Sequence, residues 1–62
     1  MVKGYHMYNG YKEIEIEEIN VYGNIEWKFK FIVDGMLYNE RITDDKSRYI
    51  EYLEKEYYFE ED

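Results

Sequence analysis

From Lys12 to Glu17 the chain alternates between charged and apolar residues, with Glu13, Glu15 and Glu17 separated by Ile14 and Ile16. A strand through this segment lines three carboxylates along one face and sends the isoleucines to the other. Asn9-Gly10, Gly23-Asn24 and Asp34-Gly35 each fall between segments rich in β-branched and aromatic residues, and each reads as a hairpin turn. Asn-Gly and Asp-Gly favour the type I′ turn, because both central residues need positive φ and these residue types adopt it at low steric cost. The pattern predicts four strands, Val2 to Tyr8, Tyr11 to Val21, Ile25 to Val33 and Met36 to Thr43, with no proline to interrupt them.

A two-residue turn at Asp34-Gly35 sets Val33 opposite Met36, Phe31 opposite Tyr38 and Trp27 opposite Ile42. One face of that hairpin is then apolar except for Glu40 beside Phe29. The other carries Lys28, Lys30, Asn39 and Arg41, with Ile32 and Leu37 at its turn end. The second strand changes phase, since Ile14 and Ile16 are even-numbered while Ile19 and Val21 are odd. A β-bulge at Glu17-Glu18, with a three-residue loop Tyr22-Gly23-Asn24, turns all four toward one core face and is the favoured expectation. Without it, a two-residue Gly23-Asn24 turn leaves Ile19 and Val21 on the opposite face near Ile32 and Leu37, as an intersubunit patch. In the first hairpin an Asn9-Gly10 turn sets Tyr5 opposite Ile14, Tyr8 opposite Tyr11 and His6 across from Glu13.

After Thr43 the period lengthens to that of a helix, with Tyr49, Ile50, Leu53 and Tyr57 on one stripe and Glu51 four residues before Lys55. Thr43 or Asp44 can cap this helix and Asp45 suits the positive end of its dipole. Glu60, Glu61 and Asp62 sit at the end that disfavours anions, so a tail from about residue 58 to residue 62 should fray. The expected fold is α+β: a four-stranded antiparallel meander with one C-terminal helix packed on one face, in the order ββββα. Residues 1–62 form a single small domain, with Trp27, Phe29, Phe31 and Leu53 near its centre.

Composition changes this picture in two ways. A 62-residue chain is marginal as a monomer, and without cysteine it has no disulfide or thiolate metal site to compensate. Nine tyrosines, three phenylalanines and one tryptophan are more rings than so short a chain can bury, so aromatic surface should face a partner, a homodimer included. The second change is electrostatic: 15 acidic against 8 basic side chains give a formal net charge of -7, which argues against direct binding of nucleic acid or an anionic membrane. No apolar run approaches the roughly 18 residues that span a bilayer, and Met1-Val2-Lys3-Gly4 lacks a signal-peptide core, so the expected setting is cytoplasmic.

Chemistry is sparse. There is no Gly-rich phosphate loop, no Cys or His cluster for a metal, and Ser47 has no base near it in sequence, so no enzyme activity, cofactor or metal is expected. A His6-Glu13 pair supplies only two ligands, and two rarely hold a metal ion. Glu15 and Glu17 on an open strand lack the desolvation that would separate their pKa values for acid-base work. The acidic row can simply keep an aromatic-rich surface soluble. It can also present charge to a basic groove, because its carboxylates repeat at roughly 6.6 Å. The candidate partner-binding residues are Glu13, Glu15, Glu17, Glu18, Glu51 and Glu54.

In size and acidity the chain is similar to the inhibitors with which bacteriophages occupy the nucleic-acid sites of host enzymes, anti-CRISPR and glycosylase-inhibitor types among them. That resemblance implies an acidic protein-binding module, an inhibitor or nucleic-acid decoy for a target protein with a basic surface, acting in the cytoplasm of a host cell if phage-encoded. Four meandering strands followed by a helix also resemble, from Lys3 to Tyr57, the whirly-type single-stranded-DNA-binding dimers. This second resemblance implies a basic, aromatic sheet face built from Lys28, Lys30, Arg41, Tyr8 and Tyr11. A homodimeric structural or adaptor protein is the third expectation.

Overall fold

The computed structural model describes residues 2–61. The strands are β1 (Val2–His6), β2 (Lys12–Val21), β3 (Asn24–Val33), β4 (Met36–Thr43) and β5 (Tyr57–Glu61), with one helix, α1 (Lys46–Leu53), between the last two. All five strands belong to one antiparallel sheet in the order β4-β3-β2-β1-β5. The chain is thus α+β, but the meander of four strands gains a fifth. Helix α1 leaves one edge strand, β4, and crosses a sheet face to deliver β5 to the opposite edge, beside β1.

β5 corrects the prediction for the C-terminal segment. Tyr57, expected as the last apolar position of the helix, opens a strand paired with His6, and Tyr58, Phe59, Glu60 and Glu61 pair with Tyr5, Gly4, Lys3 and Val2. Most of the tail expected to fray is therefore paired; Asp62 lies outside the described residues. Two forces explain the change. Continuing the helix would stack Glu54, Glu56, Glu60 and Glu61 at its negative end, whereas a strand from Tyr57 turns Tyr57 and Phe59 onto the core and Tyr58 and Glu60 to the other face. Gly4 also has no side chain where Phe59 lies: a Cβ there would sit 2.5 Å from the Phe59 ring.

The helix is shorter than its periodicity suggests, and Asp45 is its N-cap in place of Thr43 or Asp44. The Arg48 N–H donates to Asp45 Oδ1 at 3.1 Å, and the Asp45 N–H donates to Thr43 Oγ1 at 3.0 Å. At the other end the Glu54 N–H donates to the Ile50 carbonyl and the Glu56 N–H to the Leu53 carbonyl, closing the last turn. Lys55 stands over the Tyr52 ring at 5.6 Å, and no Glu51–Lys55 ion pair forms.

Every hairpin differs from its predicted register by a small, explicable amount. The second turn is Tyr22-Gly23, both at positive φ as type I′ requires, and β2 pairs with β3 without a break from Lys12↔Val33 to Val21↔Asn24, so no bulge exists at Glu17-Glu18. Asn20 holds this turn, its Oδ1 accepting from the Gly23 N–H at 2.9 Å. Asp34 and Gly35 have the positive φ expected of them, and Val33↔Met36 pairs as predicted. The pairing then shifts, Ile32↔Leu37 being followed by Phe31↔Asn39, so Tyr38 is the surplus residue of a bulge in β4. The shift sets Lys30↔Glu40, Phe29↔Arg41 and Trp27↔Thr43, replacing the predicted Phe31–Tyr38 and Trp27–Ile42 pairs. It removes Glu40 from the core face and puts it between two lysines, a better place for a carboxylate. Between β1 and β2 the link is five residues, with no positive φ at Asn9 or Gly10, and Tyr5 pairs with Glu13 where Ile14 was expected.

Ile14, Ile16, Phe29 and Leu53 form the buried core between sheet and helix, with Val2, Trp27, Phe31, Tyr49, Ile50, Tyr57 and Phe59 packed around it. Phe29 meets the Tyr49 ring edge-on at 4.7 Å. Trp27 is at the margin, half-buried beneath the Lys46 ammonium at 5.5 Å, so its predicted central position is corrected to a peripheral one.

Candidate protein-binding surfaces

Strand parity divides the side chains between two faces. The face under the helix holds Ile14, Ile16, Glu18 and Asn20 of β2 and Trp27, Phe29 and Phe31 of β3. The outer face, with no element laid on it, holds Glu13, Glu15, Glu17, Ile19 and Val21 of β2 and Glu26, Lys28, Lys30 and Ile32 of β3. Ile19 and Val21 share this face with Ile32 and Leu37, but stand at the opposite end of the strands.

The six candidate glutamates therefore do not form one site. Glu13, Glu15 and Glu17 stand in a row on the outer face, as their alternation implied. Glu18 faces the other way, exposed and opposite Trp27; Glu51 and Glu54 are exposed on and just after α1, on that same side of the sheet.

Lysines compensate the outer row at Glu15 and Glu17. Register places Glu60, Lys3, Glu15, Lys30 and Glu40 side by side across all five strands, an alternation of negative and positive charge. The contacts close on the diagonals: Lys30 Nζ lies 2.9 Å from Glu17 Oε2, and Lys28 Nζ lies 3.7 Å from Glu40 Oε2. The Lys30 hydrogen bond and charge hold the Glu17 carboxyl below its ordinary value, and Glu17 in turn raises Lys30, with Glu15 and Glu40 adding to the effect. One row toward the first connection, Tyr58, Tyr5, Glu13, Ile32 and Leu37 succeed one another, Tyr5 and Tyr58 with ring centroids 5.5 Å apart. Lys28 and Lys30 were legible as partners from their alternation; Glu40 and Glu60 were not, because the bulge and β5 set their places.

Glu18, Glu51 and Glu54 have no ion pair within 4.0 Å among the described residues. His6 does not meet Glu13. Its Nε2 lies 3.4 Å from Glu56 Oε2, and its Nδ1 accepts from the N–H groups of Tyr8 at 3.1 Å and Asn9 at 3.0 Å, fixing the loop that exposes Tyr8 and Tyr11. Among the described residues there is no group of three or more His, Cys, Asp or Glu side chains able to hold a metal ion, and no helix long and apolar enough to cross a membrane. A cleft of about 390 Å³ between Thr43, Asp45, Arg48, Tyr49 and Tyr52 runs beside the helix, with Asp45 already engaged as its cap.

Comparison with known proteins returns no matching family model, no similar curated protein and no similar solved structure.

Proposed function

We propose that this chain is an acidic, non-catalytic protein-binding module that engages a basic surface of its partner chiefly through the carboxylates on its helix-bearing side. The observation that carries this reading is the contrast between the two sets of glutamates. Glu18, Glu51 and Glu54 are exposed without a cation partner, whereas Glu15 and Glu17 are flanked by Lys3, Lys28 and Lys30. An uncompensated carboxylate steers a basic partner from a distance; charges that alternate with opposite neighbours cancel at range and act only on contact. Six exposed tyrosines, Tyr8, Tyr11, Tyr22, Tyr38, Tyr52 and Tyr58, supply the amphipathic contact area that binding surfaces favour. Where the partner's basic surface handles nucleic acid, the module acts as the inhibitor or decoy that its acidity suggests.

The single-stranded-DNA reading has less support. Lys28 and Lys30 are ion-paired and Arg41 pairs with Phe29 on the helix-side face, so the cations it needs are divided between faces. The test is affinity capture with two triple variants. Glu18, Glu51 and Glu54 changed together to Gln should abolish capture of a basic partner, and Glu13, Glu15 and Glu17 changed to Gln should retain it. The opposite result would return recognition to the outer row, and tight binding of wild type to oligo-dT at physiological salt would overturn the reading.

A further inference from the structure

We infer that the outer face of the sheet is a self-association surface, occupied by a second copy of this chain stacked face to face with its two-fold axis parallel to the strands and between β2 and β3.

The occupant follows from the charge pattern. A symmetric pair of stacked sheets must use the same patch on both copies, and two in-plane axes are available. An axis perpendicular to the strands lays each strand on its own counterpart, so β2 carboxylates meet β2 carboxylates and β3 lysines meet β3 lysines. An axis parallel to the strands, placed between β2 and β3, lays β2 on β3 of the other copy and β1 on β4. With the registers observed, Glu15 then stands over Lys30, Glu17 over Lys28 and Lys3 over Glu40, each pair occurring twice. In the neighbouring rows Tyr5 meets Leu37, Glu13 meets Ile32 and Ile19 meets Glu26. No carboxylate falls on a carboxylate and no ammonium on an ammonium. The same axis centred on β2 would lay Glu15 on Glu15, so the half-strand offset is required.

Two further observations agree with this arrangement. β2 and β3 are the longest strands, 10 residues each, so an axis between them gives the greatest overlap. Stacked sheets cross at about 30°, which displaces outlying rows but leaves the pairs beside the axis in place. Four strands about 4.8 Å apart and about 26 Å long cover roughly 500 Å² per copy, near the lower limit of specific interfaces, so the dimer is reversible. Glu18, Glu51 and Glu54 lie on the opposite side and stay accessible, so dimerisation and the proposed partner binding are separable.

The absence of cysteine makes the test clean. Single variants Glu15→Cys and Lys30→Cys are prepared, and a short bismaleimide is added to each alone and to an equimolar mixture. The mixture should yield cross-linked dimer faster than either variant alone, because unlike positions stand directly opposite across the axis while like positions are displaced by one strand spacing of about 4.8 Å. A helix-side Glu51→Cys variant should show only background. Equal rates for Glu15→Cys alone and for the mixture would overturn the axis. No dimer above the Glu51→Cys background, with all variants folded by circular dichroism, would overturn the surface. Neither failure would alter capture of a basic partner by wild type.

Discussion

Two backbone N–H groups converge on Nδ1 of His6, so that nitrogen carries no proton in the folded loop and Nε2 carries the one aimed at Glu56. His6→Ala removes both acceptor contacts and should cost about 1 kcal/mol, since neighbouring water can replace part of what is lost. Amide exchange should then quicken at Tyr8 and Asn9 while the β2–β3 ladder keeps its protection; unchanged exchange at those two residues would deny the ring its role. Gly4 acts through steric absence. Gly4→Ala drives a methyl into the Phe59 ring and should destabilise by about 1–3 kcal/mol, part of which Phe59→Leu should restore, as denaturant midpoints would show. Burial also pushes the Tyr49 and Tyr57 hydroxyls above the usual tyrosine value. A raised folded pKa means stability that is full below the unfolded value and is lost as pH rises through the folded one. Denaturant midpoints should therefore fall on the alkaline side of about pH 10, and fall less when both tyrosines are Phe.

Among the elements, those whose local chemistry agrees with their period were legible: β2 and β3 fall almost where alternation places them, because Ile14 and Ile16 and Trp27, Phe29 and Phe31 must share an apolar face, and the bounds of β4 follow from its turn at Asp34-Gly35. The last turn of the helix was not. Tyr57 continues a helical stripe with Leu53 and equally begins a strand with Phe59, and part of what decides between them, the space at Gly4, lies fifty-odd positions away. The Tyr38 bulge was hidden for a similar reason, since it is selected by Glu40 finding Lys28 and Lys30 on another strand. The phase change at Ile19 and Val21 looked like a bulge because all aliphatic residues were assumed to share one core. The helix covers only the middle of the sheet, leaving Glu18 and Asn20 free to take the inner positions and the two aliphatics the outer ones. Phe29→Ala should accordingly cost about 3–5 kcal/mol and Trp27→Ala roughly half as much, in thermal or denaturant unfolding. Equal losses would put Trp27 back in the core.

Across the molecule, the same carboxylates that were conspicuous in the sequence prove the least available. Glu13, Glu15 and Glu17 do share a face, but the β1–β2 and β2–β3 registers set Lys3 and Lys30 beside Glu15 and Lys28 beside Glu17, and the β4 bulge adds Glu40 next to the same lysines, which no local pattern announces. The acidic excess is therefore shared between the two faces: among the described residues the outer one carries six carboxylates, Glu13, Glu15, Glu17, Glu26, Glu40 and Glu60, against Lys3, Lys28 and Lys30, in a lattice whose central row alternates in charge. Such a lattice is poorly suited to a uniformly basic partner and well suited to its own copy, which would also relieve a chain whose buried hydrophobic core, among the described residues, is Ile14, Ile16, Phe29 and Leu53. The most direct measurement is sedimentation equilibrium of the wild-type protein from about 10 µM to about 500 µM, where linkage predicts a mass that climbs reversibly from monomer toward dimer. A mass that stays at the monomer value throughout this range, in protein shown to be folded, would contradict the account.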